Sequence, residues 1–203
     1  MSVPEWFSIC KDVFVSIAAC VTAYVAIKGV GTWQKELRGK ASFDVARELI
    51  KSIYLLRDEI KRCRSPFIWG DEFPDYYDSF GKRTKEEEGR AWAYVYTKRW
   101  KPAAKATQAF EACALEAEVL WGDEIRKKKD ELKKWVVQLH GGIEAYISDK
   151  NAGGKHFKND REFEKNVKLD IHDKKAEENK LTQGVEESIK GLESIICPHL
   201  ARD

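Results

Sequence analysis

The feature that most constrains this chain is the stretch from Val13 to Trp33, which carries no charge and no helix breaker up to Ile27. Its one charged residue is Lys28, near the end. At about 1.5 Å of rise per residue, a helix of this length measures roughly 31 Å, close to the ~30 Å hydrocarbon thickness of a bilayer. Trp6 and Phe7 precede the run and Trp33 closes it, where aromatic rings favour a membrane–water boundary. Lys28 can lay its butyl stem in lipid and lift its ammonium to the headgroups. The reading is one transmembrane helix over residues 13–33, after a short N-terminal segment 1–12.

Two other readings fit less well. A buried core helix would need an apolar partner segment of similar strength, and the chain has none. A cleaved signal peptide would need a positive leading region, whereas Glu5, Lys11 and Asp12 stand there. Ile17-Ala18-Ala19-Cys20 has the look of a lipoprotein processing box, but the apolar run continues past that cysteine. Flanking cations set the orientation: Lys11 before the span against Lys28, Lys35, Arg38 and Lys40 after it. This asymmetry places the N-terminus outside and residues 34–203 in the cytoplasm.

Those remaining residues suit one domain of ordinary size. Charged side chains make up 34% of the chain but balance to a net +2, so no bulk electrostatic case exists for a nucleic-acid partner. The excess of cations from Lys28 to Arg64 points to a membrane-apposed face or to an ordinary solvated helix surface. The five cysteines, Cys10, Cys20, Cys63, Cys113 and Cys197, form no C-x-x-C pair. They read as small core residues, or as residues in or beside the span.

Helical periodicity follows. Ala46, Leu49, Ile53, Leu56, Ile60 and Cys63 alternate steps of three and four residues, an apolar stripe on a helix from about Trp33 to Arg64 that continues the span. Ser65-Pro66 ends it, because the residue before proline is pushed out of the α region. From Gly89 to about Ser148 helix formers dominate, with Pro102 marking either a kink or the first turn of a new helix. The Lys150-Asn151-Ala152-Gly153-Gly154 stretch is a break. Residues 155–180 are polar enough to read as a mobile, partly helical excursion. Leu181, Val185, Ile189, Leu192 and Ile196 form a last amphipathic helix stopped by Pro198. The fold class expected is all-α: an N-terminal transmembrane helix followed by an antiparallel bundle of three to four helices.

No catalytic constellation emerges. His140, His156, His172 and His199 offer no pair at helical metal spacing. The arginine-to-histidine spacing of helical HEPN-type ribonucleases is missing, since Lys134 stands where an arginine would precede His140. There is no G-x-S-x-G and no phosphate-cradling glycine loop. Glu86, Glu87 and Glu88 suit a helix start, while Glu111, Glu116 and Glu118 point to different sides of theirs. Neither a cofactor nor a small-molecule substrate is indicated. The residues that stand out are in the connection from Phe67 to Glu88, which is turn-rich but also aromatic. Trp69, Phe73, Tyr76 and Tyr77 are its candidate partner-binding side chains. The alternative role for these rings is to cover the helices as a satellite cluster.

The block Gly29-Val30-Gly31-Thr32-Trp33-Gln34-Lys35-Glu36-Leu37-Arg38-Gly39 continues into Ala46–Ile50, Tyr54–Ile60 and Arg64-Ser65-Pro66-Phe67-Ile68. It resembles a group of bacterial single-pass membrane-anchored helical proteins with a Gly-x-x-Thr-Trp-x-x-x-Leu-x-Gly junction. Arg99-Trp100 and Glu116–Gly122 are similar to that group too, and the likeness spans roughly residues 15 to 145. It implies a bacterial inner membrane and a helical cytoplasmic domain, and brings no activity. Two functions follow as expectations: a membrane-tethered interaction module that binds a protein partner or a second copy, or an anchored effector or enzyme of a stress or phage-defence system.

Overall fold

The computed structural model describes residues 3–75, 84–173 and 179–201. Six α-helices and no strand occur among them: α1 Val3–Cys63, α2 Lys85–Trp121, α3 Asp123–Asn151, α4 Lys155–Asn159, α5 Arg161–Ile171 and α6 Lys180–Leu200, with a 3-10 turn at Gly70–Glu72. The chain divides into two compact units, Met1–Asp44 and Val45–Asp203.

The first unit is helical throughout its described length, and every side chain from Val13 to Ala41 is exposed. Within it lies one stretch long and apolar enough to cross a membrane. The two threonine hydroxyls here bond back along the helix, Thr22 Oγ1 to the Ala18 carbonyl at 2.8 Å and Thr32 Oγ1 to that of Lys28 at 3.1 Å. Such bonds satisfy a hydroxyl where no water is at hand. The Lys28 ammonium leans back over the Tyr24 ring, 5.6 Å from its centroid.

The second unit is built around α3, which packs against α2, α5 and α6. The six residues of the Ala46–Cys63 stripe are each at most 3% exposed and belong to one core with Phe110, Leu139 and Leu192. Side-chain bonds give the helix directions. Arg64 reaches Thr182 while Tyr54 reaches Glu193, so α6 runs antiparallel to α1. Lys150 pairs with Glu88, Lys133 with Glu111 and Arg126 with Glu118, so α3 returns antiparallel along α2.

Helix ends follow local chemistry. Thr84 and Glu87 exchange bonds at the start of α2, with Glu87 N donating to Thr84 Oγ1 (3.2 Å) and Thr84 N to Glu87 Oε2 (2.9 Å). Asp160 caps α5 through Phe163 N, and Asn179 caps α6 through Leu181 N and Thr182 N. Pro102 interrupts nothing: α2 runs through it and stops at Gly122, whose φ of +80° only glycine adopts without strain. Pro198 likewise lies inside α6, which continues to Leu200. This close to the helix end its ring removes a single bond. The polar stretch after Gly154 holds α4 and α5, which bury Phe157, Val167 and Ile171. These short helices, and the split at Gly122, raise the count beyond the three to four expected after the span. Of the cysteines outside the first unit, Cys63 is buried, Cys113 half-buried and Cys197 exposed. Burial pushes the Cys63 thiol up to about 12, so it stays protonated.

Candidate functional site

The connection after α1 is held by Arg99, a residue of α2. Its guanidinium grips the Glu72 carboxylate with two nitrogens, Nη2 to Oε1 at 2.6 Å and Nε to Oε2. The remaining donors go to the loop backbone, Nη1 to the Ser65 carbonyl at 2.7 Å and Nη2 to that of Phe67. Two-toothed pairing of guanidinium with carboxylate is among the strongest polar contacts available to side chains, and it fixes direction as well as distance. The hydrogen bonds from Arg99 hold the Glu72 carboxyl below the ordinary carboxylate range, against a smaller opposing effect of burial, and raise Arg99 in return.

Glu72 also organises its own turn. Its Oε1 accepts from Trp69 N at 3.0 Å, and Glu72 N donates to the Trp69 carbonyl at 3.1 Å, closing the 3-10 turn. Beyond it Phe73 sets its ring edge-on to Trp92, with centroids 5.3 Å apart. Trp92 in turn meets Tyr146 at 5.4 Å, also edge-on. The Lys150 ammonium lies over both, 5.3 Å from Trp92 and 5.5 Å from Tyr146. The loop is therefore tied at three places: the two carbonyls on Arg99, the Glu72 carboxylate and the Phe73 ring.

Between these ties two rings point into solvent. Phe67 is 75% exposed and Trp69 is 72% exposed. Single exposed apolar side chains are ordinary on a folded surface, but two large rings this open on one short loop form a candidate contact patch. The four candidates named from sequence therefore separate: Trp69 is open, Phe73 is half-buried on α2, and Tyr76 and Tyr77 lie outside the described residues. Phe67 was not among them, and neither was Arg99. Nothing in local spacing links Glu72 to Arg99, which are 27 residues apart.

A second polar node closes the same end of the unit. Arg64, 2% exposed, donates Nε to the Asp170 carbonyl (2.7 Å), Nη1 to Thr182 Oγ1 (2.8 Å) and Nη2 to the Leu169 carbonyl (3.1 Å). Asp173 Oδ1 stands 3.7 Å from the same guanidinium, and Asp173 N donates to the Arg64 carbonyl at 2.9 Å. Burial lowers the Arg64 pKa, opposed by the charges of Asp173 and Asp170. These bonds join the end of α1 to the end of α5 and the start of α6, and they are structural. Two of the four histidines serve as ring partners: His140 stacks on Trp100 at 4.6 Å and His199 on Trp121 at 4.3 Å. Among the described residues no group of three or more His, Cys, Asp or Glu side chains converges. Comparison with known protein families, with curated proteins and with solved structures finds no match to this chain.

Proposed function

We propose that this chain is a membrane-tethered helical interaction module, single-pass in a bacterial inner membrane, with residues 34–203 cytoplasmic as an antiparallel bundle. Its working surface is the connection after α1, which docks a protein partner through Phe67 and Trp69. One observation carries this reading: two largely exposed rings stand on a loop whose backbone Arg99 and Glu72 already hold. Ordering a rotamer-rich side chain or a loose loop on binding costs about 0.5–1.5 kcal/mol per side chain, and a loop held in advance avoids much of that. Tryptophan at the centre of an interface commonly contributes about 2 kcal/mol or more.

The test compares the full chain with Trp69→Ala and Phe67→Ala in affinity capture from detergent-solubilised native membranes, with thermal melts alongside. The expected result is one stoichiometric protein retained by the parent and lost by both variants, while the melts coincide. Retention by both variants, or a large fall in their melting temperature, removes this loop as the docking surface.

A further inference from the structure

Next to Tyr146 and Lys150 of the aromatic cluster, the end of α3 and helices α4 and α5 line two open depressions with volumes of about 260 and 470 Å³, which together form one groove. The parts share Arg161, Glu164 and Lys168. Lys150 and Lys158 line the first and Lys165 the second, so five cations face two carboxylates, Asp149 and Glu164. Both carboxylates are engaged. Asp149 Oδ1 accepts from Phe157 N at 2.9 Å, and Glu164 takes Arg161 Nη1 at 2.8 Å on one oxygen and Lys168 Nζ on the other. Lys150 is bonded to Glu88. Among the described residues Lys158 and Lys165 have no carboxylate within ion-pair distance.

We propose that this groove binds the phosphate group of a small soluble anion. Glu164 shows the geometry in miniature: one anionic group bridges a guanidinium and an ammonium one helical turn apart on either side of it. A phosphate offers three such oxygens with more charge, and the arginine fork accepts phosphate as it accepts carboxylate. Lys158 and Lys165 supply charge that Glu164 leaves uncompensated. The apolar lining is inward, with Phe157 buried and Leu169 half-buried. No exposed large apolar side chain lines the groove for an acyl chain to rest on, which favours a soluble anion over a lipid headgroup. The groove is separate from Phe67 and Trp69, so its test stands apart from that of the docking loop.

The experiment titrates inorganic pyrophosphate into the full chain in detergent micelles, followed by calorimetry. Saturable binding is expected, weakened about tenfold or more in the double variant Lys158→Glu/Arg161→Glu, whose side chains are exposed. Glu164→Gln, which removes the competing carboxylate, is expected to tighten it several-fold. Circular dichroism of each variant checks the fold, and if the double variant loses helicity the Glu164→Gln result decides. No saturable binding at millimolar pyrophosphate overturns the proposal, as does binding unaltered by these changes. Binding of short-chain phosphatidylglycerol in the same micelles that depends on the same residues and is not displaced by pyrophosphate overturns the soluble source.

Discussion

The indole of Trp135 occupies the space that a β-carbon at Gly184 would need: a Cβ built there falls 2.1 Å from Trp135 Cε2. Two tendencies oppose each other at this position. Alanine is favoured over glycine inside a helix by about 1 kcal/mol. Overfilling a packed contact costs about 1–3 kcal/mol, and here the obstacle is a rigid ring. Gly184→Ala should therefore lower the melting temperature. In a Trp135→Ala background the same change should become neutral or stabilising, because only the helix preference remains. A double-mutant cycle by thermal melting reads the difference directly. Additive effects would show that the ring and the glycine are not in contact in solution.

Arg64→Met should destabilise the chain by about 3–5 kcal/mol, the usual consequence of removing one partner from a buried charged network. The Asp170 carbonyl would lose its side-chain donor, the Leu169 carbonyl would keep only Asn179 Nδ2, and Asp173 would lose its cation. Arg64→Lys should recover little, since an ammonium cannot reach three acceptors from one plane. Urea denaturation of the three proteins provides the measurement. A loss under 1 kcal/mol for methionine would mean that water replaces the network.

The Glu72–Arg99 pair gives a pH dependence of definite sign. The folded carboxyl titrates below the unfolded one because Arg99 bonds to its charged form. Its stabilisation is thus complete above the unfolded value, about 4.3 for glutamate, and disappears as pH falls through the lower folded value. The stability difference between the parent and Glu72→Gln should be largest near neutrality and shrink with acidification. A difference that stays constant from pH 7 down to the acid limit of folding would show that the charge of Glu72 is not what holds the loop.

Phe73 and Trp69 should part company in melts. Phe73→Ala removes a ring packed on Trp92 and should lower stability, by less than the ~3–5 kcal/mol of a fully buried phenylalanine. Trp69→Ala should leave it nearly unchanged. Ile53→Asp, at a position of 0% exposure, should unfold the second unit, because an unpaired charge buried there costs several kcal/mol against a total of about 5–15.

Orientation can be read with two fusions after Asp203. A fluorescent protein should glow there and alkaline phosphatase should be inactive, following the cation excess after the apolar run. The reverse pair of results would place residues 34–203 outside the cytoplasm.

The sequence alone determined what depends on neighbours along the chain. The Ala46–Cys63 stripe was legible because a 3.6-residue repeat brings such positions to one side of a helix whatever that side later meets. The break at Pro66, the acidic start of α2 and the apolar step of α6 were readable for the same reason. Pro102 was ambiguous, because a helix interior tolerates proline when packing on both sides outweighs the lost bond. Gly122 was the true boundary, and only a backbone φ of +80° reveals that. The tertiary structure decided everything that joins distant segments. Arg99 meets Glu72, Arg64 meets Thr182 and Trp135 meets Gly184 only after the helices have packed. Exposure followed the same rule: Trp69 and Phe73 are both aromatic, four residues apart in one loop, yet one faces water and the other covers α2. Composition could not tell them apart, since side-chain burial is set by what lies opposite and not by what lies next.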